Sequence, residues 1–196
     1  MNGRTSTVIL AAGLALGAAL ALGGPDAPDH KLTTVSPRTF ADSLHAVIAA
    51  DRQAYAELVV QRLHADEHRV PATEDWRAAH GLPVPAQLLQ AAARSIQQNG
   101  AEFSYTLRSL WPINPNCGPQ TQVEQTGLEF VAAHPGENYY AEEMLGGRSY
   151  FTAVYADRAT LTSCLECHNR HPRSPRRDFK RNDVMGGIVV RVPLEF

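Results

Sequence analysis

An α+β fold with a mainly antiparallel sheet is the class this sequence predicts, and a change of hydrophobic period predicts it. Before Gly100 the apolar residues recur at threes, fours and sevens, the spacing of helices. After it, three stretches alternate apolar with polar residues, the spacing of half-buried strands. A chain of 196 residues has room for one domain core and a short leader.

The leader is read over residues 1–24. Arg4 supplies a positive charge, an apolar run from Val8 to Leu22 follows, broken only by glycines, and Ala19-Leu20-Ala21 offers a small-x-small cleavage site before Gly23-Gly24-Pro25. This is a secretory signal in outline, or a short membrane tether if it stays attached. Export to the periplasm is expected. Residues 25–35 mix proline, aspartate and lysine without period and read as a linker, leaving 36–196 for the domain.

A long helix opens that domain. Ser36 is its cap, Pro37 stands in the first turn, and Leu44, Val47, Ile48, Tyr55, Leu58, Val59 and Leu63 form one stripe, packed on a core or on a second copy of the chain as a homodimer. His45 and His64 on this helix are read as structural residues. A loop with a helical turn at Glu74 to Ala79 is expected up to Pro85, and a second helix from Ala86 to Gln98, with Leu88, Leu89, Ala92 and Ile96 inward and Asn99-Gly100 as a left-handed cap.

Phe103, Tyr105 and Leu107 mark the first strand. Three prolines between Trp111 and Pro119 forbid regular structure there. Thr121 and Glu124 make a capping box for a helix to about Ala133. Tyr139 to Met144, Ser149 to Ala156 and Val184 to Val192 are strands, with Gly146-Gly147 as a turn. In the last strand Ile188, Val190 and Val192 share one face, Val189 and Arg191 the other.

Between the last two strands lies Cys164-Leu165-Glu166-Cys167-His168, the attachment spacing of a c-type haem. Two thiols two residues apart can add to the two vinyl groups on one porphyrin edge, and a helical turn then aims the next imidazole at the iron. Cys164 and Cys167 are the expected thioether anchors and His168 the proximal ligand of one covalent haem c. Three other readings compete: a redox dithiol, structural cysteines, and a zinc site of a haem-free periplasmic binding module, made by Cys164, Cys167, His168 and His171. Zinc is the weakest on geometry, because adjacent Cys167 and His168 would have to converge on one tetrahedral ion. A net charge of -2 argues against a nucleic-acid partner, and no nucleophile with a neighbouring base marks an enzyme.

Two longer stretches carry a resemblance. The run from Cys164 through Asn169-Arg170-His171-Pro172-Arg173-Ser174-Pro175 to Asp178-Phe179-Lys180 and Asp183-Val184-Met185-Gly186-Gly187, with Pro83-Val84-Pro85-Ala86 and Pro112-Ile113-Asn114-Pro115 upstream, resembles the PAS-like haem c domain of bacterial sensor ectodomains and stand-alone periplasmic proteins. The likeness runs from about Phe40 to Pro193. It implies a PAS-like antiparallel sheet of about five strands flanked by helices, and a role in sensing redox state or a small ligand. The chain departs from the pattern at Asn182, where glycine is usual, and at Cys117, where asparagine is usual. Sensor members carry an output module beyond this domain, and none is expected after Phe196.

The sixth iron ligand is open among Cys117, His80, His64, Met144 and Met185, with Cys117 or His80 in front. The choice matters because His/Met ligation raises the potential toward an electron carrier, whereas an open position admits gases. Arg170, Arg173, Arg176, Arg177, Lys180 and Arg181 surround the motif. Arg173 and Arg176 are candidate contacts for haem propionates, and the rest would steer an acidic redox partner. The expected partners are thus a redox protein or a small gaseous ligand.

Overall fold

A computed structural model describes residues 34–195. The leader and nearly all of the linker lie outside the described residues. The Ser36 hydroxyl accepts from the Thr39 N–H at 3.0 Å and opens helix α1, Pro37–Tyr55, with Pro37 in the first turn. The helix continues without a break as a wider π-wound segment, Ala56–Asp66. A short parallel pair, β1 (Ala72–Thr73) and β2 (Leu82–Pro83), follows. Gly81 is obligatory between them, since a Cβ there would sit 2.2 Å from the Pro71 carbonyl oxygen.

Helix α2 (Pro85–Gln98) ends at Gly100, whose φ of +80° makes the expected left-handed cap. Strand β3 (Ser104–Arg108), a 3-10 turn (Pro115–Cys117) and α3 (Gln122–Ala133) come next. The Thr121 hydroxyl accepts from the Glu124 N–H at 3.1 Å, as the capping box requires. Strands β4 (Tyr139–Leu145) and β5 (Arg148–Arg158) form a hairpin; α4 (Thr162–Arg170) and β6 (Val184–Pro193) complete the chain.

The sheet order is β3-β6-β5-β4, antiparallel throughout. Ile188, Val190 and Val192 share one face with Tyr105, Ala153 and Tyr155, under α1 and α2. Val189 and Val154 on the other face pack against Leu128 and Val131 of α3. Four strands stand where about five were expected. Leu82-Pro83 pairs with Ala72-Thr73 instead of joining the sheet, and the prolines from Pro112 to Pro119 keep that run off the β3 edge.

Four inward assignments need correction. Val47 and Leu58 are 59% and 69% exposed, and Leu88 is also exposed. The inward stripe of α1 is Ala41, Leu44, Ile48 and Arg52, in which a small and a charged residue take positions that a hydrophobic pattern does not score. Beyond Tyr55 the π winding breaks the 3.6 period, so Val60 turns inward and Leu58 outward. In α2, Leu89 is buried and Ala93 packs beside it, whereas Ala92 is exposed.

The tail motif has a steric meaning. A Cβ on Gly186 would lie 2.5 Å from the Arg108 carbonyl oxygen, and one on Gly187 would lie 2.8 Å from Leu128 Cδ2. These two glycines let β3 and α3 close on β6 from either side. Asn182 has a φ of +71°, which explains a usual glycine there and also its replacement, since asparagine tolerates the left-handed region better than most residues.

Gly127 of α3 faces β5 so closely that a Cβ would lie 2.6 Å from Val154 Cγ2 and 2.8 Å from Tyr139 Cδ1. Alanine is favoured over glycine in a helix by about 1 kcal/mol, but overpacking costs about 1–3 kcal/mol. Gly127→Ala is therefore expected to destabilise, read as a lower urea midpoint with an unchanged slope.

Candidate functional site

Helix α4 projects Cys164, Cys167 and His168 into one cleft, because residues at i, i+3 and i+4 share a helix face. All three cysteines of the chain are free thiols. Cys164 and Leu165 pack against Ala159, Phe179, Met185 and Trp111. The Asn169 side chain clamps the helix to its return loop, donating to the Phe179 carbonyl at 2.9 Å and accepting from the Phe179 N–H at 3.0 Å. The His168 ring stands edge-on to Phe179, with centroids 5.9 Å apart.

The cleft encloses about 1300 Å³ of space including its open mouth. Its other walls come from α1 and the π-wound segment (Arg52, Val60, His64), the start of α2 (Gln87, Gln90), the loop after β3 (Trp111, Asn114, Cys117), the end of β5 (Asp157) and the start of β6 (Met185, Gly186). The segment from Ala72 to Pro85 spans one side. The Tyr55 hydroxyl fixes it by donating to the Pro83 carbonyl at 2.7 Å.

Arg52 and Asp157 form a buried two-pronged ion pair in the wall, at 2.7 and 2.9 Å. The pair ties α1 to the end of β5, from which α4 is launched. Burial lowers the proton affinity of His168 and keeps it neutral, the form that ligates a metal. Burial also pushes the Cys164 thiol up.

Six buried side-chain polar atoms among the described residues have no hydrogen-bond partner, and five belong to cleft residues: Arg52 Nε, Gln87 Oε1, Arg108 Nε, Ser163 Oγ and His168 Nδ1. Arg108 Nε lies 3.4 Å from Glu124 Oε1, close enough for attraction but not aligned as a hydrogen bond. Orphaned polar atoms concentrated in one cleft fit an occupant with polar groups of its own.

The structure separates the candidate ligands. Cys117 lines the cleft, and its sulfur accepts from Gln90 Nε2 at 3.1 Å. His64, Met185 and His171 line it too, though Met185 is packed into the core at 3% exposure. His80 is exposed and lies outside the lining, as does Met144 on the far edge strand β4. Among the described residues no group of three or more His, Cys, Asp or Glu is placed to hold a metal ion by itself.

The two arginines expected at the propionates are engaged elsewhere. Arg176 lies over the Trp111 and Phe179 rings at 4.8 and 4.4 Å and pairs with Asp178 and Asp183. Arg173 pairs with Glu74 at the rim, and neither arginine lines the cleft. Sequence reasoning missed Arg52, Asp157 and Gln90, which no local pattern announces, and ranked His64 behind Cys117 and His80.

The ion pair supplies a test. Arg52→Met leaves Asp157 buried and unpaired, so the loss of stability is expected to be about 3–5 kcal/mol. The double variant Arg52→Met with Asp157→Leu is expected to recover most of that loss in urea titration.

No curated protein matches the chain. The crystal structure of the cyanobacterial heme-protein Tll0287 is similar over 78% of this chain and 96% of that one, at 19% identity and a TM-score of 0.47. The family model for Tll0287-like proteins matches residues 33–193. Its match takes in α1, the whole sheet and every cleft residue described above, and the chain belongs to the Tll0287-like family.

Proposed function

We propose that this chain is an exported monohaem c-type protein that passes single electrons. Cys164 and Cys167 would hold the haem as thioethers, and His168 would ligate its iron. One observation carries the reading: both thiols and a neutral imidazole share a helix face in a cleft where five buried polar atoms lack partners. Membership of the Tll0287-like family supports it, since Tll0287 is described as a heme-protein. The haem, when bound, supplies a one-electron couple.

This chain's residues would shape that couple. Gln90 holds the Cys117 sulfur by an amide N–H, which supports Cys117 over His80 as the second axial group. Cys167 is exposed, so the attached edge would stand near solvent. Around it Arg170, Arg177, Lys180 and Arg181 are exposed, a basic surface on a chain whose net charge is -2. An acidic redox protein is the partner such a surface would steer. Redox or small-ligand sensing remains the second use of the same site, favoured by a cleft open to solvent. The apolar leader supports export to the periplasm, where the segment would be cleaved or serve as a tether.

Protein produced with haem-attachment machinery is expected to show a c-type pyridine haemochrome and the added mass of one haem. Cys164→Ala with Cys167→Ala is expected to lose the added mass, and the bare apoprotein weight in the wild type would refute the reading. Zinc in the purified protein, without haem, would establish the rival binding module. For the partner surface, oxidation of the reduced protein by ferricyanide should slow as salt rises from about 0.01 M to about 1 M, shrinking the screening length from about 30 Å to about 3 Å. The chain's overall charge alone predicts the opposite trend.

A further inference from the structure

A second cavity borders the cleft at Cys117. It shares Gln90, Leu107, Arg108, Asn114 and Cys117 with the cleft and no residue of α4. Three arginines line it, Arg94 of α2, Arg108 of β3 and Arg191 of β6, and its lining contains no Asp or Glu. The charges behind it are accountable. Glu124 of α3 lies 3.4 Å from Arg108 and 2.8 Å from Arg191, and Glu143 of β4 lies 2.7 Å from Arg191. Among these ion-paired groups and Arg94, two carboxylates against three guanidinium groups leave one positive charge over, and the remaining nearby acid, Asp51 of α1, is exposed to solvent. Arg108 donates to the Asn116 carbonyl and to Gln120 Oε1 while its buried Nε has no hydrogen bond, and Tyr105, the other ionisable side chain besides Cys117, is neutral at ordinary pH because burial, and then the charge of Asp51, raise its phenol further.

We infer that this side cavity binds one carboxylate of the cleft's occupant, with Arg94 and Arg108 taking its charge. The inference rests on the haem reading above. In a haem the vinyl groups and the propionates occupy opposite edges of the ring. Thioether bonds at Cys164 and Cys167 hold the vinyl edge at α4, so the propionates extend toward the walls that α4 does not build. The cavity lies in such a wall. The basic residues after the motif belong to the α4 side, and Arg52 there is already matched by Asp157. One propionate in the cavity would meet the one surplus positive charge of the paired groups.

The test uses the haem-loaded protein and reads the midpoint potential against pH by spectroelectrochemistry. Removing a cation beside an ionised propionate stabilises ferric iron and makes the carboxylate easier to protonate. Arg94→Gln is therefore expected to lower the potential at neutral pH and to move the redox-linked titration to higher pH. Arg108→Gln should do the same, and Arg108→Lys should restore much of the wild-type profile. Arg38→Gln, over the Tyr140 ring on the far edge strand β4, should leave the profile unchanged. If Arg108→Gln does not fold, Arg94→Gln decides alone. An unchanged profile in Arg94→Gln carrying a full complement of haem overturns the inference, whereas a wild type without a haemochrome overturns the haem reading itself.

Discussion

The Arg52–Asp157 ion pair is the constraint on which the arrangement of the cleft depends. Two charges withdrawn from water stabilise a fold little on balance, but once both are buried neither can be left alone. That asymmetry fixes where α1 meets the end of β5. From that junction the chain has only the short turn around Ala159 before α4 begins, so the position of α4 follows from the pair. The Ala159 N–H donates to the Asp183 carbonyl and the Asn182 N–H to the Ala159 carbonyl, both at 2.9 Å, closing the loop that carries the motif back onto β6.

The cleft is thus assembled from three separate supports. The sheet supplies a rigid floor through β5 and β6, the Asn169 clamp orients α4, and the Tyr55 hydroxyl holds the segment across the side. The Asn169 clamp and the Tyr55 bond are polar and geometrically specific, whereas the apolar packing on the two sheet faces is general. Folding of the sheet and shaping of the cleft therefore draw on different interactions. A loosened clamp would leave the sheet in place and still misplace the motif helix.

What was legible in the sequence follows the same division. Cys164, Cys167 and His168 stand together in the chain, so their common helix face follows from spacing alone. The alternation through β6 assigned its two faces correctly, because a one-residue slip would move every side chain to the other face. Arg52 and Asp157 are 105 positions apart, and nothing in a single sequence pairs them. Arg176 was read as a candidate propionate contact, but its partners Trp111, Phe179 and Asp183 meet it only when the return loop is folded. His64 was ranked behind Cys117 and His80 because a lone histidine on a helix is more often structural than a ligand, and the sequence does not show the π winding of the segment it occupies.

That segment has one more consequence. A helix bonded five residues back rather than four stores more chain in the same axial length, so the stretch from Ala56 to Asp66 is a reserve of slack in an otherwise taut element. Losing a single amino acid there can be absorbed by rewinding to the tighter spiral, with Val60 and His64 turned away from the cleft but both ends of the rod left in place. The same loss between Pro37 and Arg52 has no such reserve, and would drag Ala41 and Ile48 off the sheet.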